Sequence, residues 1–223
     1  MISVIVIEPE NPGNLGAIAR VMANFGFEEL VLINPCGIND EALSRAMHGR
    51  HILKKAKIVK EIPDFDYLIA TTAKLGTDYN IPRSPVSPKQ LAEKLNVNAN
   101  IGLLIGREST GLTNKEIKKC DFLVTIPAYE KYPTMNISHA LGIILYEIFT
   151  ASENGVGSQI KPAGKKEKDA FFREFNQLLD KIEFTTEEKK ETQKIVWKKL
   201  IGKSFLTKRE LFALFGFIRK LKP

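Results

Sequence analysis

The sequence predicts an α/β domain built on a mainly parallel sheet, followed by a small all-helical extension, and three observations carry that reading. Short apolar runs alternate with amphipathic helical patterns through the first two-thirds of the chain. After Ala151 the strand patterns stop, a stretch rich in Gly, Ser and Lys follows, and only helical patterns come after it. The charge changes at the same place. Residues 1–150 hold 16 basic and 16 acidic side chains, whereas residues 151–223 hold 17 and 10, so the whole net charge of +7 lies in the last third. The expected units are a domain over 1–152, a linker over 153–166 and a basic helical extension over 167–223.

The elements follow in order. "SVIVI" (3–7), "LVLI" (30–33), "YLIAT" (67–71), "IGLLIG" (101–106) and "FLVTI" (122–126) are apolar runs of the length and composition of strands buried on both faces. After the first strand, "EPENPGNLGAIAR" reads as a glycine-rich turn feeding a helix, whose apolar stripe is Leu15, Ile18, Ala19, Met22 and Phe25. Ser87-Pro88-Lys89-Gln90 is a capping box with proline at the first helical position, opening a helix through about Leu95. Thr113-Asn114-Lys115-Glu116 is a second box, opening a short helix that ends near Cys120. "MNISHALGIILYEIFTA" (135–151) is a long, mostly apolar helix. The extension carries three helical stripes: Phe171, Phe172, Phe175, Leu178, Leu179 and Ile182; then Ile195, Val196 and Leu200 after the box Thr185-x-x-Glu188; then Leu211, Leu214, Phe215 and Ile218 after the box Thr207-x-x-Glu210. At this spacing the phenylalanines are expected in a core rather than stacked on bases.

Composition narrows the function classes. A 223-residue chain with 43% hydrophobic residues supports a packed core. No apolar run nears the ~20 residues of a membrane span, and the chain opens on a strand-like segment, so a soluble cytoplasmic protein without a membrane or DNA partner is expected. Cys36 and Cys120 stand 84 positions apart, and His48, His51 and His139 lack companions at ligand spacing, so no metal is expected. The basic last third fits a nucleic-acid or other polyanion partner, and equally a solvated lysine-rich surface.

Three motifs bear on the chemistry. The first strand–turn–helix suggests a dinucleotide site, but Asn34 and Pro35 end the second strand where an acidic ribose ligand belongs. Only Gly13 and Gly16 of the glycine set are present, and the nicotinamide reading fails. In "LIGRESTGLTNKEIKKCD" a buried strand ends at Gly106, with Arg107 and Glu108 just beyond, where ligands of α/β sheets bind. In "IPAYEKYPTMNISHALGIILYE" Pro127 and Pro133 bracket a loop, and Asn136 and Ser138 stand at the start of the long helix, as ligand-binding groups or as plain caps.

Together "NPGNLGAIAR", "IGRESTGLTNKEIKKCD" and "YPTMNISHALGIILYE" resemble, in order and spacing, the three motifs of the SpoU branch of the SPOUT RNA methyltransferases, most closely its tRNA 2′-O-methyltransferases. The ending "ELFALFGFIRKL" is similar to that subgroup's C-terminal extension. The resemblance implies a SPOUT-type sheet whose C-terminal part forms a deep trefoil knot, S-adenosyl-L-methionine bound in the knot, and a homodimer with its active site between subunits. Carried over by position, it places Thr71, Thr72, Ala73, Gly106, Ile126, Thr134, Met135 and Asn136 at the cofactor, and Asn14, Arg20, Glu108 and Asn136 at the reaction. Pro133-Thr134-Met135-Asn136 departs from the subgroup, which commonly shows Ser-Leu-Asn.

The implied activity is transfer of the cofactor's methyl group to a ribose 2′-oxygen of tRNA, with nucleotide 32 of the anticodon loop as the leading target. Ribosomal RNA or another tRNA site, and a non-catalytic RNA-binding relative, are the rival readings. A guanidinium with a pKa above ~12 is a poor base, so Arg20 is expected to anchor a phosphate or stabilise a developing alkoxide. Glu108 is expected to orient Arg20 or the ribose, or else to pair with a nearby lysine. The basic extension is expected to hold the tRNA backbone without reading sequence.

Overall fold

A computed structural model of the chain describes residues 1–73, 85–95, 99–153 and 162–221. Seven strands form one sheet: β1 Ile2–Ile7, β2 Glu29–Ile33, β3 Lys57–Val59, β4 Tyr67–Thr71, β5 Pro85–Val86, β6 Ile101–Ile105 and β7 Phe122–Val124. Every pairing is parallel, in the order β3-β2-β1-β6-β4-β7-β5. The five expected strands are all present. Strands β3 and β5 go beyond that expectation, since three- and two-residue runs containing Lys57 or Pro85 are too short to leave a periodic signal. Strand β7 lies between β4 and β5, which are neighbours in sequence. A later segment is thus laid between two earlier ones.

Both sheet faces are covered, which is why the central strands read as unbroken apolar runs. Val4, Val6, Leu103, Ile105 and Phe122 point into one core, under helices α1 Pro12–Asn24, α2 Asp40–Ala46, α3 Arg50–Lys55, α4 Pro88–Lys94 and α6 Ile137–Glu153. Ile5, Ile7, Leu104 and Leu123 point into the other, which Ile117 of α5 Asn114–Lys119 closes. Helices α4 and α5 open on the two expected capping boxes, each with both reciprocal bonds made. The short α2, the 3₁₀ turn Met47–Gly49 and the short α3 were not expected as helices, being too brief to show a stripe.

The glycine-rich stretch corrects the expectation of a tight turn. Gly13 and Gly16 lie inside α1, which Asn11 caps by accepting from the Gly13 N–H at 2.7 Å, with Pro12 in the first turn. Their reason is packing against α2. A β-carbon at Gly16 would stand 2.3 Å from the Ala42 carbonyl oxygen, and one at Gly13 2.6 Å from Glu41 Oε1. Gly49 repeats the device one turn further on, 2.4 Å from the Ala19 oxygen by the same construction. The α2-to-α3 segment therefore lies tight along α1.

The extension is three helices, α7 Lys165–Leu179, α8 Glu187–Lys203 and α9 Lys208–Lys220, around a small core of Phe171, Phe175, Leu179, Ile201, Leu211 and Ile218. Three details differ from expectation. Helix α7 begins at Lys165, inside the expected linker. Thr186, one residue later than expected, caps α8 by accepting from the Lys189 N–H. Ile182 is exposed beyond the end of α7, and Leu200 is exposed because α8 turns Lys199, Ile201 and Gly202 inward instead.

Lys199 is the key to that rotation. Its Nζ donates to the Cys120 carbonyl at 3.0 Å, and Lys198 Nζ donates to the Lys119 carbonyl at 3.2 Å, so two lysines of α8 satisfy the carboxyl end of α5. On α7, buried Lys168 lies 3.5 Å from the centre of the Tyr67 ring and 3.6 Å from Asp121 Oδ1, and donates to the Asp66 carbonyl. Phe205 stacks on Tyr67 at 5.0 Å. These contacts fall at the amino ends of β4 and β7. Part of the basic surplus is therefore internal structure rather than a surface for RNA.

Two measurements check this packing. Gly16→Ala is expected to cost about 1–3 kcal/mol in urea unfolding, because its methyl group meets backbone rather than a movable side chain. Burial brings the Lys199 ammonium down to about 8, against ~10.4 in the unfolded chain. Between those values the unfolded state holds the extra proton, so this lysine makes stability rise with pH. The stability of wild type minus that of Lys199→Met should increase from about pH 8 to pH 10; a flat difference would reject the assignment.

Candidate active site at the carboxyl ends of the strands

The loops after β1 and β6 and the start of α6 meet at the carboxyl end of the sheet. The loop after β6 is held from beneath by Arg107. Its Nε donates to Glu8 Oε2 at 2.7 Å, Nη2 to Glu116 Oε1 at 3.1 Å, and Nη1 to Glu116 Oε2 at 3.2 Å. The pairing raises the guanidinium pKa further and holds the Glu8 carboxyl below the usual carboxylate range. Burial works against the charge on Glu116, but its bonds to Arg107 and Thr113 outweigh that and lower its pKa. Gly111 takes a left-handed φ of 68°, and the chain folds back on itself. A β-carbon at Gly106 would lie 2.3 Å from the Gly111 carbonyl carbon. Gly106 is thus required by its own loop.

On this base Glu108 receives three donors: the backbone N–H of Glu10 at 2.8 Å, that of Asn11 at 3.3 Å, and Asn14 Nδ2 at 3.0 Å. Asn14 Oδ1 accepts from Asn136 Nδ2 at 2.9 Å, and Asn136 Oδ1 accepts from the Ser138 N–H at 2.9 Å and Oγ at 2.7 Å. The direction of this chain is forced. Ionised Glu108 only accepts and the Ser138 N–H only donates, so both amides between them have one permitted orientation. Each amide spends one N–H inside the chain, Asn14 on Glu108 and Asn136 on Asn14.

The structure brings Asn14, Glu108 and Asn136 together. Arg20 stands apart from them: it is exposed on α1, about 9 Å further along the helix axis and turned to a different side. Among the described residues it makes no hydrogen bond or ion pair. Glu108 orients Asn14, rather than Arg20 or a lysine as expected. Asn136 is the residue that caps α6, accepting from the Ser138 N–H and Oγ, so Ser138 holds Asn136 in place instead of competing with it.

Of the expected cofactor residues, Thr71, Thr72, Ala73, Ile126 and Met135 line one depression at the carboxyl ends of β4 and β7, floored by Ile144. Gly106, Thr134 and Asn136 are not in its lining. The apolar walls and two threonines suit a nucleoside with a sulfonium substituent, and the Thr72 N–H is already bonded to the Val124 carbonyl at 2.9 Å. The enclosed volume of about 40 Å³ holds only part of such a group, and residues 74–84, which continue from Ala73, fall outside the described residues. Among the described residues no three His, Cys, Asp or Glu side chains gather as a metal site.

Residues 1–146, which span this whole arrangement, match the SpoU rRNA Methylase family. The chain belongs to that family. A SpoU relative, the tRNA (cytidine-2′-O-)-methyltransferase TrmJ of Methanocaldococcus jannaschii, is 46% identical over 97% of each chain. The enzyme of the same name from Sulfolobus acidocaldarius is 33% identical over 99% of this chain and 93% of its own. The fold of TrmJ from Z. mobilis superposes with a TM-score of 0.70 over the full length of both chains at 24% identity. The SpoU domain of this chain carries two site features that sequence reasoning missed, the Arg107 fork and the Asn11 cap. The Asn-Pro pair ahead of a helix signalled the cap; nothing in sequence linked Arg107 to Glu8, 99 residues away.

Glu108→Gln keeps size but loses one acceptor and adds a donor facing donors. We expect methyl transfer to fall roughly tenfold or more, the equivalent of one charge-assisted hydrogen bond, with circular dichroism unchanged. Single-turnover rates at saturating RNA provide the check.

Proposed function

We propose that this SpoU chain is an S-adenosyl-L-methionine-dependent tRNA 2′-O-methyltransferase whose target is nucleotide 32, at the start of the anticodon loop. The observation that carries the reading is the oriented Glu108–Asn14–Asn136 chain, which ends beside the apolar depression. The near full-length similarity to TrmJ enzymes supports tRNA ahead of ribosomal RNA. Thr71, Thr72, Ala73, Ile126 and Met135 would hold the cofactor, with Gly106, Thr134 and Asn136 at its margin. When bound, the cofactor supplies a methyl group on a sulfonium that leaves readily.

The protein's task is then alignment and help with one proton. The second N–H groups of Asn14 and Asn136 are fixed in direction and suit a ribose oxygen, and such alignment is worth ~7–11 kcal/mol when complete. Arg20, charged and unpaired among the described residues, is suited to a phosphate or to the developing alkoxide. Ile143, Tyr146 and Phe149 of α6 are exposed beside Phe25 of α1, an apolar surface that supports a homodimer with the site completed at its interface. The placement of β7 between β4 and β5 supports a threaded, trefoil-knotted chain. A unit ending with α6 and a three-helix unit beginning with α7 at Lys165 fit a catalytic domain with an RNA-holding extension.

Incubation of total RNA, tRNA and ribosomal RNA together, with methyl-labelled cofactor, followed by mapping of ribose-methylated fragments, tests the reading. Label at nucleotide 32 is the expected result; label confined to ribosomal RNA fragments overturns it. Arg20→Lys is expected to lower single-turnover rates at saturating RNA by roughly a hundredfold if it stabilises the alkoxide. A rate near wild type excludes the alkoxide role, and an unchanged tRNA affinity in Arg20→Ala excludes the phosphate role.

A further inference from the structure

The charge balance of the first domain conceals a local imbalance. Residues 42–60 contain six Lys or Arg and no Asp or Glu, so the rest of residues 1–150 holds ten basic against sixteen acidic side chains. The fold places these nineteen residues together. They run from the end of α2 through the 3₁₀ turn and α3 into β3, the edge strand of the sheet beside β2. All six basic side chains are exposed, with His48 and His51 exposed among them. Asp40, Glu41 and Glu61 flank the run, and Glu41 and Glu29 pair with two of its basic residues, so the unbalanced positive charge is that of Arg50, Lys54, Lys55 and Lys60.

The position is more telling than the count. The close packing that Gly13, Gly16 and Gly49 permit lays the segment along α1, with Arg45 beside Gly13 and the Gly49 turn against the backbone of Arg20. The strip therefore begins next to Asn14 and follows α1, which is about 20 Å long. Arg45 and Lys57 are paired to Glu41 and Glu29, while Lys54, Lys55 and Lys60 make no bond or ion pair among the described residues.

We infer that this edge, Arg45, Arg50, Lys54, Lys55 and Lys60 with Arg20 at its centre, is a binding surface for the sugar-phosphate backbone of the RNA substrate. It is separate from the basic extension, which is anchored at the amino ends of β4 and β7. The inference rests on the proposed RNA substrate, and it adds that the catalytic domain grips RNA by itself. Charge complementarity with a polyanion fits the strip; an acidic protein partner is the rival.

The test compares Lys54→Ala/Lys55→Ala/Lys60→Ala with wild type for tRNA binding across a salt series. All three side chains are exposed, so an unchanged melting temperature is expected. Affinity at low salt should fall roughly tenfold or more, and log affinity against log salt should become shallower by about two, as for three lost phosphate contacts. The triple Arg variant should restore both, and Lys115→Ala/Lys118→Ala on α5 should change neither. Unchanged affinity and slope, an equal loss in the α5 control, or no tRNA binding by wild type each overturns the inference. Intact salt-dependent binding without methyl transfer would overturn the catalytic reading alone.

Discussion

A hydrogen-bond chain whose two ends cannot reverse governs this site. Glu108 has only acceptors and the Ser138 N–H has only a donor, so Asn14 and Asn136 between them are oriented without help from a ligand. The chain joins residues up to 122 positions apart, and it requires the loops after β1 and β6 to hold their shapes. Arg107 meets that requirement by clamping Glu8 and Glu116 from below. Preorganisation of this kind lets polar groups act without rearranging at the moment of reaction.

The other end of the sheet has a different logic. There the extension is attached by charge buried under apolar cover: Lys168 against Tyr67 and Asp121, and Lys199 against the end of α5. Buried ammonium groups are costly, and burial lowers the pKa of both, though each donates to a backbone carbonyl. The attachment is at the amino ends of β4 and β7, away from the Glu108 chain at the carboxyl end of the sheet.

Much of the fold was legible because strands buried on both faces are continuous apolar runs, and because capping boxes at Ser87, Thr113 and Thr207 are local and self-sufficient. Position-by-position resemblance singled out Asn14, Glu108 and Asn136, three residues that the fold joins by hydrogen bonds. What stayed hidden was relational. Gly13 and Gly16 look alike whether they bend a turn or admit a neighbouring helix, and only the Ala42 carbonyl distinguishes the two. Thr185 and Thr186 are both competent caps in the sequence, and it is Thr186 that accepts from the Lys189 N–H. The basic edge at 42–60 vanished into a balanced sum over 150 residues.

Using amides as the middle links has a consequence for ageing. Hydrolysis of either side chain to a carboxylate would replace the only donor in its link with another acceptor, setting two oxygens against each other. The fold would survive, since neither Asn14 nor Asn136 belongs to a buried core, but the oriented chain would be broken in an otherwise intact molecule. Leu15 and Ile137, bulky residues that follow each asparagine, crowd the backbone nitrogen through which such hydrolysis proceeds. The residues beside the chain thus bear on how long the site lasts as well as on how it is built.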